Sequence, residues 1–245
     1  YWKWYEDYPQ NYNERIILEN YFNFDYHYIN GFTYQFLNEN IGYIHYASFT
    51  DKVSEQLLDH ILTLFKDCKG IVLDIRNNGG GSVSNINALG SRFTNESKVL
   101  TGYDLHKTGK GHNDFGDTRA IYLTAPSSKG SRTETQDTGS NGNVGSQRVR
   151  FTKDVVLLTN RTVFSAANDF VRIMKVLDNV TVIGDHSGGG GAVPVSFNLP
   201  NGWSVRFSAC PSFDTDMQHT EFGIDPDVRA AITDEDRAKG LHTII

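Results

Sequence analysis

Apolar residues recur along this chain at two spacings, and the alternation between them predicts a βα architecture. Ile41–Tyr46 (IGYIHY) reads as a strand. Residues 51–66 carry Leu57, Leu58, Ile61, Leu62 and Phe65 at helical spacing, with Thr50 and Asp51 as N-cap candidates and Gly70 as the stop. Residues 70–75 (GIVLDI) form an unbroken apolar run, the pattern of a strand buried on both faces of a parallel sheet. A helix is expected over 85–93, with strands over 99–105 and near 120–124. The pattern resumes with a strand at Asp154–Thr159 (DVVLLT) and a strand over 181–184. Between them, residues 165–177 place Ala166, Phe170, Ile173, Met174 and Leu177 on one helical face. Residues 193–199 and 203–209 predict a hairpin turning at Pro200-Asn201-Gly202, since Asn-Gly favours tight hairpin turns. The expected fold class is α/β.

Two stretches stand outside the alternation. Residues 1–31 are unusually aromatic, with Trp2, Trp4, Tyr8, Tyr12, Phe22 and Tyr26 among them. Large rings rarely stay solvated, so we read an N-terminal arm that packs on the main domain. The other reading is the remnant of an upstream region that contacts a peptide. Residues 126–149 are rich in Gly, Ser, Thr and Asn and are expected to form a mobile surface loop, because they hold too few apolar groups to offset ordering. No internal repeat and no dividing linker is seen, so residues 32–245 read as one domain.

Composition narrows the function classes. The chain has 245 residues, 38% of them hydrophobic and 21% charged, enough for one sizeable core. A net charge of −6 without any basic cluster gives no reason to expect a nucleic-acid partner. No apolar run approaches the roughly 18 residues of a membrane helix. The chain starts at Tyr1 with neither an initiator Met nor a signal peptide, as expected of a fragment. Cys68 and Cys210 make no metal-ligand spacing and are expected to be buried free thiols rather than a disulfide.

Candidate chemistry sits at two strand-to-helix junctions, where open α/β sheets form their binding crevice. The first is DIRNNGGG, residues 74–81. Its three glycines allow close backbone approach and expose N–H groups. The run fits neither a P-loop nor a dinucleotide fingerprint, so amides aimed at a developing oxyanion are the better use. The second is LTNRTVFSAAND, residues 158–169, in which Ser165 opens a helix. Ser165 is either an N-cap or a nucleophile, with the Ala166 N–H and the positive helix end beside it.

These segments, taken in order with Ile41-Gly42-Tyr43-Ile44, TVIGD (181–185) and FGIDPD (222–227), resemble the tail-specific, or C-terminal processing, serine peptidases and their tricorn-type relatives. The resemblance implies a ClpP/crotonase-like core of layered ββα units, with the catalytic domain over residues 32–245. It implies Ser165 as nucleophile, and an oxyanion hole from the Ala166 N–H and a glycine of the 79–81 run, Gly79 or Gly80. It also implies a polypeptide substrate cleaved through an acyl-enzyme, no metal or organic cofactor, and an exported, cell-envelope location.

The sequence departs from that pattern at the base that must activate Ser165. Bacterial tail-specific members place a lysine after the TVIGD-like strand, but here that position falls within Gly188–Gly191, and Lys175 lies in a helix body. Tricorn-type members use a histidine near a carboxylate. Glu221 precedes GIDPD and is the candidate orienting acid, or else a surface glutamate. His112 is the leading candidate base, with His186, His45 and His219 behind it, each with an ordinary structural reading beside it. Asn168 stands where bacterial members usually carry Glu. The four glycines 188–191 are open to close approach by a substrate strand. Two rival functions follow: a proteolytically inactive peptide- or ligand-binding homologue on the same fold, and an acyl-CoA enzyme of crotonase type. The sequence gives no oligomeric state.

Overall fold

The computed structural model describes residues 11–109, 111, 113–124 and 148–245. Most of the expected loop, and residues 1–10 of the arm, lie outside the described residues. After a helical segment over residues 14–21 come two strands, β1 (His27–Ile29) and β2 (Phe32–Asn38), paired antiparallel. The Asn30-Gly31 turn between them takes positive φ at both residues, 48° and 80°, the conformation of a tight two-residue hairpin. β2 pairs with β3 (Ile41–Tyr46), the strand expected from IGYIHY.

From β3 onward the sheet is parallel. Helix α1 (Glu55–Leu64) leads to β4 (Gly70–Asp74), and α2 (Val83–Gly90) follows it, ending in a 3-10 turn at Ser91–Phe93. Strands β5 (Lys98–Lys107) and β6 (Phe115–Thr124) pair antiparallel in a separate small sheet. The chain then returns through β7 (Asp154–Thr159), α3 (Ala166–Lys175) and β8 (Val180–Gly184). The hairpin β9 (Val193–Asn198) and β10 (Ser204–Cys210) follows, then β11 (Ser212–Phe213) on β5, β12 (Val228–Arg229) on β8, and α4 (Asp234–Ala238). The main sheet has the order β1-β2-β3-β4-β7-β8-β12. Parallel register places Ile44 beside Leu73, Leu73 beside Leu157 and Leu157 beside Val182. The fold is therefore mixed α/β around a mostly parallel sheet, and its parallel strands end together near the two junctions singled out by sequence.

The helix cap differs from expectation. α1 is capped by Ser54, whose hydroxyl accepts from Leu57 N–H at 3.3 Å. Thr50 and Asp51 stay outside the helix because the chain before Ser54 is committed elsewhere. Phe49 bridges to Gly81, and Val53 N–H donates to the Asn85 side chain at 3.0 Å.

Apolar burial holds the layers together on both faces. On one face Leu58, Ile61 and Phe65 pack with Ile44, Leu73, Leu157, Leu89 and Phe170. On the other, Ile17 and Phe22 of the arm pack on Tyr43, with the Phe22 and Tyr43 rings 5.3 Å apart. The described part of the arm thus covers the sheet, each such side chain contributing roughly 1.5–3 kcal/mol. Cys68 and Cys210 are buried free thiols. Among the described residues no helix is long and apolar enough to cross a membrane.

A buried polar cluster closes the carboxyl end of β4. Asp74 and Arg76 are both fully buried and paired, with Arg76 Nε donating to Asp74 Oδ1 at 2.8 Å. Tyr43 donates its hydroxyl to Asp74 Oδ2 at 2.8 Å. Arg76 holds the Asp74 carboxyl below the usual carboxylate range, against the opposing effect of burial. Arg76 Nη1 reaches the Asn11 carbonyl at 2.7 Å and His242 Nε2 at 3.1 Å, so one guanidinium ties both ends of the described chain to β4.

His242 gives this anchor a pH signature. Burial, and then the neighbouring Arg76 charge, push its imidazole down to about 4 from 6.5. Between those values the unfolded chain binds a proton that the folded chain excludes, so the stability His242 contributes falls as pH drops from about 6.5 toward 4. Asp169, raised to about 6, acts in the opposite direction over that range, so the test is a difference: urea midpoints should lose more, or gain less, on acidification in the wild type than in His242→Gln. An equal slope in the variant would contradict the assignment.

Candidate active site

Ser165 sits where β7 turns into α3, and its backbone departs from the conformation of a helix cap. A helix N-cap has extended φ and ψ, and its side chain accepts from the first turn. Ser165 has φ 57° and ψ −124° and makes no side-chain cap hydrogen bond. Positive φ in a residue with a Cβ costs of order 1–3 kcal/mol and persists only where the surroundings impose it. Here Ser165 N–H donates to Gly189 O at 2.8 Å, Phe164 N–H donates to Asn78 O at 3.1 Å, and Ser165 O accepts from Asp169 N–H at 3.0 Å. Backbone bonds on both sides thus hold a half-buried serine in a sharp turn with its hydroxyl not used by the helix.

The glycine turn after β4 lies directly against this serine. A Cβ placed on Gly80, whose φ is +96°, would lie 2.5 Å from Phe164 O and 2.9 Å from both Ala166 N and Ser165 Cβ. Only glycine permits that approach. Gly81 packs equally closely on the Phe49 backbone, whereas a Cβ on Gly79 would meet nothing within 4 Å. The amides of the turn differ in use. Gly80 N–H donates to Asn78 Oδ1 at 2.9 Å and is spent there. The N–H groups of Gly79, Gly81 and Ala166 donate to no group among the described residues.

The four-glycine run is filled by its own chain. Gly189 bridges Phe164, Gly188 N–H donates to Val163 O at 2.7 Å, and Gly190 N–H donates to Glu221 O at 2.8 Å. A Cβ on Gly190 would strike the Phe164 ring at 2.4 Å. These glycines are needed for packing against residues 163–165 and 221–223, which corrects the expectation that they lie open to a substrate strand. Asn168 is fully buried and ties the same region together, accepting from the Ser187 hydroxyl at 2.7 Å and donating to Thr220 O at 3.1 Å.

The candidate bases separate by their partners. His112 lies outside the described residues. His186 Nδ1 faces Asp225 Oδ1 and its Nε2 faces Phe222 O, both at 2.9 Å. Both of its ring nitrogens are thus directed at oxygens of the 222–225 segment. His45 is buried on β3 between Tyr12 and the Arg76 carbonyl. His219 Nδ1 accepts from Glu221 N–H at 3.1 Å. Lys175 is drawn to Asp225 O and, at 3.0 Å, to Asp227 Oδ1. Both Glu221 carboxylate oxygens are held, one by Ala192 N–H at 2.9 Å and the other by the Ser208 hydroxyl at 2.8 Å. This fixes the carboxylate beside the loop that bonds Ser165.

Sequence reasoning passed over Asp169, one helical turn beyond Ser165. Burial raises its carboxyl to about 6, Arg172 opposes the rise, and Glu221 and Asp104 add to it. The signal available was its spacing of four from the serine, which puts both on one face. Sequence reasoning also gave no role to Asn78. Among the described residues no group of three or more His, Cys, Asp or Glu side chains could hold a metal ion.

Comparison with known proteins agrees with the resemblance. Residues 40–230 match the profile of peptidase family S41. Over 200 residues the chain is 25% identical to the carboxy-terminal processing protease CtpA of Bacillus subtilis (strain 168), covering 80% of this chain and 36% of that protein. The chain thus spans about a third of the length of that relative. A solved candidate peptidase from Parabacteroides merdae ATCC 43184 is 46% identical, covers 100% of this chain and 71% of its own, and superposes with a TM-score of 0.85. The photosystem II D1 C-terminal processing protease shares the fold at 19% identity and a TM-score of 0.57, over 84% of this chain and 49% of its own.

Three substitutions test the geometry through thermal unfolding. Ser165→Gly should relieve the backbone strain and raise stability by ~1 kcal/mol, a Tm gain of roughly 2–4 °C. A loss would show that the turn is not strained. Gly80→Ala should cost ~1–3 kcal/mol by forcing a methyl into Phe164 O, while Gly79→Ala should stay within ~0.5 kcal/mol. Equal effects would contradict the packing described.

Proposed function

The chain belongs to peptidase family S41, and on that premise we propose that it is a serine peptidase whose nucleophile is Ser165. The observation that carries the reading is the strained Ser165 turn, packed on Gly80 and free of any capping bond. Ser165 Oγ attacks the scissile carbonyl and forms a C–O bond. The carbonyl oxygen becomes an oxyanion and is received by the Ala166 N–H at the positive end of α3. The second donor comes from the 79–81 turn. Because Gly80 N–H is occupied by Asn78, that donor is the N–H of Gly79 or Gly81. Collapse of the intermediate expels the amine, which receives the proton taken from Ser165 Oγ, and leaves an ester on Ser165, which water then hydrolyses.

The Ser165 proton needs a base. His112 is our candidate, with Glu221 as the acid that orients it. What supports Glu221 is the rigid placement of its carboxylate, held by the Ala192 N–H and the Ser208 hydroxyl. We read the fold as the ClpP/crotonase kind, supported by the succession of parallel strands that deliver both turns to one edge. Residues 32–245 form the catalytic domain in this reading, with residues 1–31 as its arm. The substrate is an unstructured polypeptide, and the protein works in the cell envelope after export; both parts rest on the family resemblance.

A fluorophosphonate probe tests the nucleophile. The adduct should map by mass spectrometry to Ser165 and vanish in Ser165→Ala, and the wild-type chain should cleave an unfolded polypeptide. A wild-type chain that neither labels nor cleaves would favour the inactive binding homologue.

A further inference from the structure

We infer that Asn78 is a positioning residue of this site, one that sets the oxyanion hole by taking the central amide of the glycine turn out of it. The inference rests on the reading of Ser165 as nucleophile. Asn78 is fully buried, and each of its polar groups has a partner. Oδ1 accepts from Gly80 N–H at 2.9 Å, and Nδ2 donates to Tyr46 O at 2.9 Å. Its main-chain N–H donates to Ile75 O at 3.0 Å, and its carbonyl accepts from Phe164 N–H at 3.1 Å. One residue therefore joins the end of β3, the end of β4, the glycine turn and the residue before Ser165.

The consequence is geometric. A turn of three glycines has many conformations, and its amides have no intrinsic reason to face one way. The Asn78 carboxamide removes that freedom. It pins Gly80 N–H, anchors the pinned side chain to β3, and through its own carbonyl holds Phe164 against the turn. The amides on either side of Gly80 are left without an internal acceptor, and Gly80 itself packs against Ala166 N. Donors arranged before reaction need no reorganisation when charge develops, which is the condition under which an oxyanion hole is effective. The amide is also chemically specific. Gly80 requires an acceptor and Tyr46 O requires a donor, and a carboxamide supplies both from one planar group. An aspartate would set a buried negative charge against the Tyr46 carbonyl, yet once protonated it could satisfy both partners.

That last property separates positioning from mere stability. Fluorophosphonate labelling rates are measured for the wild-type chain, Asn78→Ala and Asn78→Asp between about pH 5 and pH 8. Circular dichroism and melting curves on the same samples check folding. Asn78→Ala should label ~100- to 1000-fold more slowly, the usual cost of losing one oxyanion donor. Asn78→Asp should be similarly slow at pH 8, with its rate relative to wild type climbing as pH falls. Asn78→Ala labelling at the wild-type rate, or a pH-independent ratio for Asn78→Asp, would overturn the inference while leaving Ser165 in place. Should Asn78→Ala fail to fold, the pH ratio of Asn78→Asp decides. A wild-type chain unlabelled at Ser165 would overturn the parent reading, and this inference with it.

Discussion

The site depends on a contact between two backbones. The turn after β4 and the turn after β7 meet where Gly80 lies against Phe164, Ser165 and Ala166, closer than any side chain would allow. Parallel pairing of β4 with β7 brings the two turns to the same edge of the sheet, with Asp74 in register with Leu158. The hydrogen bond from Phe164 N–H to Asn78 O then closes the gap between them. Every later feature follows from this contact: the positive φ of Ser165, the glycines at 80 and 189, and the unspent amides beside the hydroxyl. The strain at Ser165 is held by neighbours on both sides, which is how strained residues persist in folded proteins.

The buried cluster at Asp74 and Arg76 supports that contact from behind. A buried ion pair contributes little net stability, because desolvation offsets most of the attraction, but losing one partner is costly. The pair is instead useful for position. Arg76 is hydrogen-bonded to Asp74, the Asn11 carbonyl and His242, so the strand end that carries the glycine turn is fixed to segments far away in sequence. The described part of the arm, through Asn11, and His242 near the other end therefore support the strand end that carries the glycine turn.

Much of this was legible in the sequence, and what was missed has physical causes. The unbroken apolar run of β4 and the limits of β3 and β7 were readable because buried parallel strands leave a local pattern. The Asn201-Gly202 turn was read, yet the same dipeptide at Asn30-Gly31 was not, because aromatic residues around it masked the strand alternation. The cap at Ser54 was missed because Phe49 and Val53 are claimed by Gly81 and Asn85, contacts that local spacing does not reveal. Ser165 was ambiguous for a sharper reason: a cap and a nucleophile occupy the same sequence position and differ in φ. Asn78 and His242 were invisible as functional or anchoring residues, since His242 meets Arg76 across 166 positions. The glycines of 188–191 suggested an open groove, and the structure fills that space with residues 163–165 and 221–223.

A crystal structure of the fluorophosphonate adduct tests most directly whether the Ser165 hydroxyl and the open amides around Gly80 form one preorganised site. Phosphorus should be bonded to Ser165 Oγ, with a phosphoryl oxygen at ~3 Å from Ala166 N and from one amide of the glycine turn other than Gly80. An adduct whose phosphoryl oxygen points to solvent, or is held by Gly80 N after release from Asn78, would contradict it.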